Sequence, residues 1–229
     1  MTQRVMTADE TRDRLIEAVL DYVPFDGWGE KALLAAAQEC GIAVDAARRA
    51  FPGGAASLIE YHSARADRRM EKGLDAEALK GLDLGRRIAA AVRLRLEQET
   101  PHPEAVRAAL AYLALPLNAA LSLRCLYRTV DTMWFALGDK SMDLNFYSKR
   151  ALLAGVYGST LLYWLDDGSE DHEECWAFLD RRLEDVTRVG RLQGRLRSVL
   201  PSPEIMARLI KRRPARAFNV ARGGRSGRP

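Results

Sequence analysis

Nowhere in this sequence do apolar and polar residues alternate over the positions a half-buried strand requires, and the missing pattern excludes a sheet-based fold. Cysteine is scarce. Cys40, Cys125 and Cys175 are far apart, odd in number and in no metal-ligand spacing, so they read as buried thiols of a reducing compartment. No uncharged run reaches the ~20 residues of a membrane-spanning helix. The longest two are 108–123 and 151–165, and the first holds Pro116 and Asn118. The opening MTQRVMTADE lacks the apolar stretch of a secretory leader, so a soluble or peripheral membrane protein is expected. Glycine-rich phosphate loops and nucleophile elbows are absent too, which removes common signatures of nucleotide binding and covalent hydrolysis.

Histidine is equally sparse. A helical-bundle oxygenase needs repeated Glu-x-x-His motifs, and the one tetrad here, Glu99-Thr100-Pro101-His102, is broken by proline and has no second copy. His62 stands in a connecting helix. His172 falls in the acidic run Asp166–Glu174, which reads as a solvated helix start, where acids are favourable. No catalytic residue, metal site or cofactor is expected, and the chain does not read as an enzyme.

What is present is helical periodicity almost throughout. With 229 residues, 48% of them apolar, the chain can bury one substantial core or a small head on a larger body. Thr7 or Asp9 can cap a first helix with Leu15, Ile16, Val19 and Val23 on one face, ended by Pro24 and Gly27. A second helix follows over about 30–40, Gly41 turns into a short helix near 43–50, Phe51-Pro52-Gly53-Gly54 stops it, and a fourth runs from Ala55 to about Lys72. After a weakly structured joint at 73–82, body helices are predicted over roughly 83–99, 103–114, 117–137, 143–166 and 171–194, with a break or kink at Pro116. The domains are therefore a head (1–72), a body (73–200) and a tail (201–229).

The head resembles the helix-turn-helix domain of TetR-type repressors through Gly41 at the turn, Phe51 after the second helix of the motif and Leu58-Ile59 opening the connecting helix. Asp45 and several alanines lead the candidate recognition helix, Arg48 and Arg49 come late, and the head has no marked basic excess. The expectation is a scaffold that has lost its DNA face, with no nucleic acid as partner. The alternative is a TetR-type ligand-responsive repressor.

Three features of the body and tail bear on binding. Small residues between large apolar ones in the body leave room for a cavity, for which plain core packing is the competing explanation. The stripe Ala151, Gly155 and Ser159 suits close approach of a symmetry mate or of an internal neighbour. The tail holds eight Lys/Arg against one acid, Glu204, while residues 1–200 hold 27 basic against 30 acidic residues, so the pI near 9.1 describes the tail. There Ile205, Met206, Leu209 and Ile210 form an apolar stripe beside Lys211 and Arg212, suited to an anionic membrane surface, a disordered tail or weak RNA contact.

The densest constellation is Arg128-Thr-Val-Asp131, Trp134, Gly138-Asp139, Asp143 and Asn145-Phe146-Tyr147-Ser148-Lys149-Arg150. Aromatics and charges crowd there more than at a routine helix corner, which points to a contact surface. With Asp26-Gly27-Trp28 and Phe51-Pro52-Gly53, this block resembles the lipid-binding accessory family of ubiquinone (coenzyme Q) biosynthesis over roughly residues 8–195. The resemblance implies an all-α, TetR-like homodimer with a helix-turn-helix head and a larger helical bundle body. It implies a bound isoprenoid quinone precursor or phospholipid, presented to demethoxyubiquinone hydroxylase from the inner face of the cell membrane (the matrix side in a mitochondrion). The expected cavity residues are Leu117, Leu121, Trp134, Leu152, Val156, Leu161 and Trp164. The expected partner patch is Asp143, Phe146, Tyr147 and Arg150, with Phe146 standing where family members often carry Trp.

Overall fold

The computed structural model describes residues 6–75, 77–138 and 145–199, with backbone alone at 145–147, 187 and 189–199. The described residues up to 186 form one compact unit and those from 187 to 199 belong to another; the cores and the cavity belong to the first. Among the described residues every regular element is helical.

The head opens with α1 (Ala8–Asp26), started by a capping box: Thr7 Oγ1 accepts from the Glu10 N–H at 3.2 Å, and Glu10 Oε2 accepts from the Thr7 N–H at 2.8 Å. The sequence reading gives Pro24 and Gly27 as its end, and of the two Pro24 lies inside the helix, which runs two residues further. It stops at Gly27, whose φ of +69° favours glycine. Next come α2 (Glu30–Glu39) and α3 (Val44–Ala50), joined through Gly41 at φ +65°. The long connecting helix α4 (Ala55–Gly73) follows. Leu15, Ile16, Val19, Leu33, Phe51 and Leu58 are buried together as the head core.

The body holds α5 (Leu84–Glu97), α6 (Pro103–Leu113), α7 (Ala119–Ala136), α8 (Asn145–Asp166) and α9 (Glu173–Val199). Its core includes Met70, Val92, Leu96, Met133, Trp164 and Leu179. The head does not close with its own residues. Ala105 and Ala109 of α6 are buried in its core, and the Trp28 indole N–H donates to the Ala105 carbonyl at 2.9 Å. α4 serves both cores, with Leu58 and Ile59 in one and Met70 in the other. At Pro116 the chain makes a 3-10 turn (Pro116–Asn118), and α6 and α7 meet at 94°.

Candidate functional site

A cavity of about 280 Å³ lies among α4, α5, α6, α7 and α8, between the two cores. Ile59, Val106, Leu110, Leu113, Leu126 and Leu161 supply apolar wall, and the small Ala109 and Gly158 help keep it open. Leu162 also lines it while 61% exposed, so the cavity reaches the surface there.

One end of the cavity is polar. Arg95, 5% exposed, donates from Nε to Asp67 Oδ1 at 3.0 Å and from Nη1 to Glu99 Oε1 at 2.8 Å. His62 Nε2 lies 3.1 Å from the other Glu99 oxygen, and the imidazole packs on the Trp28 ring at 5.3 Å. The Thr129 hydroxyl donates to Asp67 Oδ1 at 2.8 Å, and Arg128 Nε donates to Asp67 Oδ2 at 3.3 Å. Two guanidiniums thus face two carboxylates, with each buried charge paired. Tyr157, on α8, completes this end of the wall. Burial pushes its hydroxyl up to about 12, so it is neutral at physiological pH. Burial likewise raises the Cys125 thiol on the wall and takes Cys175 up to about 12, as expected of inert core thiols.

Glu99 gives this network a pH signature. Burial alone would raise its carboxyl, but His62 and Arg95 outweigh burial and hold it at about 2, against an ordinary 4.5. A depressed carboxylate contributes stability that is fully present above its unfolded value and is lost as pH falls through the folded one. The stability difference between the wild type and Glu99→Gln should therefore shrink by on the order of 3 kcal/mol between about pH 5 and pH 2. Urea titrations of both proteins across that range measure it, and a difference independent of pH would refute the assignment.

The sequence-expected cavity residues separate. Leu161 lines the cavity. Leu121, Trp134, Val156 and Trp164 are buried but stand off its wall. Leu117 is 97% exposed at the outside of the Pro116 elbow, and Leu152 is 45% exposed on the outer face of α8. The residues that do form the polar end carried a signal. His62 and Asp67 interrupt the stripe Ile59, Ala66, Met70, and Arg95 interrupts Ile88, Ala91, Val92 and Leu96. These are charged or polar side chains at core-facing positions.

The 128–150 block also differs from expectation. Arg150 is 8% exposed and bonds Asp131 at 2.8 Å through Nε and 2.7 Å through Nη2. Lys149 Nζ lies 5.8 Å from the centre of the Trp134 ring. These pairs clasp α7 to α8 and leave Arg150 little open surface. Asp143 lies outside the described residues, and Phe146 and Tyr147 are described by backbone alone. Ile205, Met206, Leu209, Ile210, Lys211 and Arg212 lie outside them as well. Among the described residues no His, Cys, Asp or Glu cluster could hold a metal ion.

Fold and site together define an all-α protein of TetR-like architecture whose body holds a small, largely apolar cavity. The TetR transcriptional regulator from Nitrosomonas europaea superimposes with a TM-score of 0.63 over 76% of this chain and 96% of its own; at 21% identity this likeness concerns the fold alone. Residues 119–190 match the family model described as COQ9. The mitochondrial ubiquinone biosynthesis protein COQ9 of Rattus norvegicus is 34% identical over 198 residues, 83% of this chain and 63% of the relative. Its Homo sapiens counterpart is 33% identical over the same share of this chain and 62% of its own length. The Drosophila melanogaster protein is 29% identical over 221 residues, covering 93% of this chain and 64% of the relative. The chain thus spans somewhat less than two thirds of these relatives' length, and across the region they share it belongs to the COQ9 family.

Proposed function

We propose that this protein acts in ubiquinone biosynthesis as a non-catalytic lipid-binding accessory, taking an isoprenoid quinone precursor or phospholipid from a membrane and presenting it to a hydroxylase. The observation that carries this reading is the apolar cavity and its opening at exposed Leu162. Such a cavity offsets part of the cost of taking a prenylated compound out of the bilayer, about 0.8 kcal/mol for each methylene-sized apolar group it covers. Names of relatives place them in the same pathway and in the mitochondrion.

For the membrane contact, the elbow between α6 and α7 adds support. Leu115, Leu117 and Leu123 are 53%, 97% and 67% exposed, and Arg107 and Arg124 flank a charge-free run. No single described helix is long and apolar enough to cross a membrane, although α6 and α7 pass that test together as one bent pair; the contact proposed is peripheral. A second copy is proposed to dock on α8, where Ala151 and Gly155 are exposed and a Cβ on Gly155 would meet no atom within 4 Å. The partner enzyme is proposed to be demethoxyubiquinone hydroxylase, met by Asp143, Phe146 and Tyr147. Loss of DNA binding is supported by Arg48, the candidate phosphate contact, which is bonded to Glu30 through Nε at 2.9 Å and Nη2 at 2.7 Å.

Mass spectrometry of organic extracts of the purified protein tests the central claim. The expected result is an isoprenoid or phospholipid near one molecule per chain. A lipid-free protein that also takes up nothing from liposomes containing prenylated quinones would end the carrier reading.

A further inference from the structure

The carrier reading does not say which end of an amphiphile enters the cavity. Volume bears on it first. About 280 Å³ is roughly twice the ~150 Å³ cavity that holds benzene, enough for a ring and a few carbons and too small for a long prenyl chain. Charge bears on it next. Arg95 and Arg128 are matched by Asp67 and Glu99, so neither an anionic headgroup nor an ammonium finds an unmatched counter-charge at the polar end.

Tyr157 is the third observation. It is 6% exposed, lines the cavity and makes no hydrogen bond among the described residues. Its hydroxyl is nevertheless absent from the sealed, unpartnered atoms of the interior, which include the Trp134 and Trp164 indole nitrogens. The oxygen is therefore not fully sealed, it belongs to a residue on the cavity wall, and it feels the charge of Arg95. A buried hydroxyl without a partner is costly, and a ligand oxygen placed against it recovers that cost.

We propose that the cavity takes the neutral, oxygen-bearing ring end of a prenylated compound, that the Tyr157 hydroxyl hydrogen-bonds its phenol or carbonyl oxygen, and that the tail leaves past Leu162. This inference rests on the lipid-site reading. It makes Tyr157 the residue that distinguishes a polar-headed prenyl compound from a hydrocarbon of the same shape. Ser63, Ser122 and Thr129 also put hydroxyls on the wall, and that of Thr129 already donates to Asp67.

The test measures binding of 4-prenylphenol and prenylbenzene to the full chain by calorimetry, in the wild type and in Tyr157→Phe. The wild type should prefer the phenol about tenfold. The variant should weaken phenol binding until the two ligands agree within about twofold, with prenylbenzene affinity unchanged, which also shows that the variant is folded. Equal affinities in the wild type would overturn the inference and leave the lipid site standing. A preference that survives Tyr157→Phe would overturn the Tyr157 assignment in favour of Ser63 or Ser122. Binding of neither ligand would remove the lipid site itself, and the inference with it.

Discussion

Replacing Arg95 with leucine should destabilise the fold by about 3–5 kcal/mol, the usual cost of removing one partner from a buried ion network. Arg95 is 5% exposed and is the shared donor of Asp67 and Glu99, which are 2% and 4% exposed. Without the guanidinium, Asp67 retains Thr129 and Arg128, but Glu99 retains only the imidazole of His62. Burial then acts on Glu99 with little to oppose it, and the carboxyl must protonate or admit water. Natural domains are stable by roughly 5–15 kcal/mol, so this one change removes a large fraction of the margin. Urea unfolding at pH 7 measures it. A loss under about 1 kcal/mol would mean that the network is not what holds α4, α5 and α7 in register. Combining Arg95→Leu with Glu99→Gln should recover part of the loss, since the stranded charge is then gone. A merely additive double variant would argue against that cause.

The same network explains which parts of the molecule were legible in the sequence. Local signals were: the Thr7 capping box, the turn at Gly41, the stop after Ala50 and the break at Pro116 each depend on residues within a few positions, and the helices lie within a few residues of their expected ends. Partnerships between helices were not. Arg95 meets Asp67 across 28 positions and Thr129 meets Asp67 across 62, and periodicity carries no information about which stripe faces which. For the same reason apolar bulk misled the choice of cavity residues. Trp134 and Trp164 are large enough to fill core space, and a cavity persists where side chains are small, at Ala109 and Gly158. The crowded 128–150 block was visible as unusual, but its direction was not. Asp131 and Arg150, and Trp134 and Lys149, turn to each other across the α7–α8 corner. The head core likewise takes in Ala105 and Ala109 of α6, a helix that starts 31 positions beyond residue 72, and no local signal shows so distant a contact.

Gly158→Leu should separate ligand binding from folding. Gly158 lies inside α8 and on the cavity wall, and a Cβ built there meets no atom within 4 Å. A leucine side chain therefore grows into the cavity rather than into packed protein. Its four heavy atoms, at roughly 30 Å³ each, take a third to a half of the space. Affinity for 4-prenylphenol should fall more than tenfold, because the ring and the leucine cannot share the volume left. Stability should hold or rise by about 0.5–1 kcal/mol, since glycine in a helix interior is costly and the added methyl groups are buried. Thermal melts and calorimetry on the same preparation read both quantities. Gly158→Ala is the graded control: it should gain the helix term and lose only part of the affinity. If Gly158→Leu melts at or above the wild-type temperature and still binds with wild-type affinity, the ligand sits elsewhere. The polar end built from His62, Glu99, Arg95 and Tyr157 would then be purely structural. If it binds nothing while remaining fully folded, the small residue on α8 is what makes this helical body a receptor rather than a filled core.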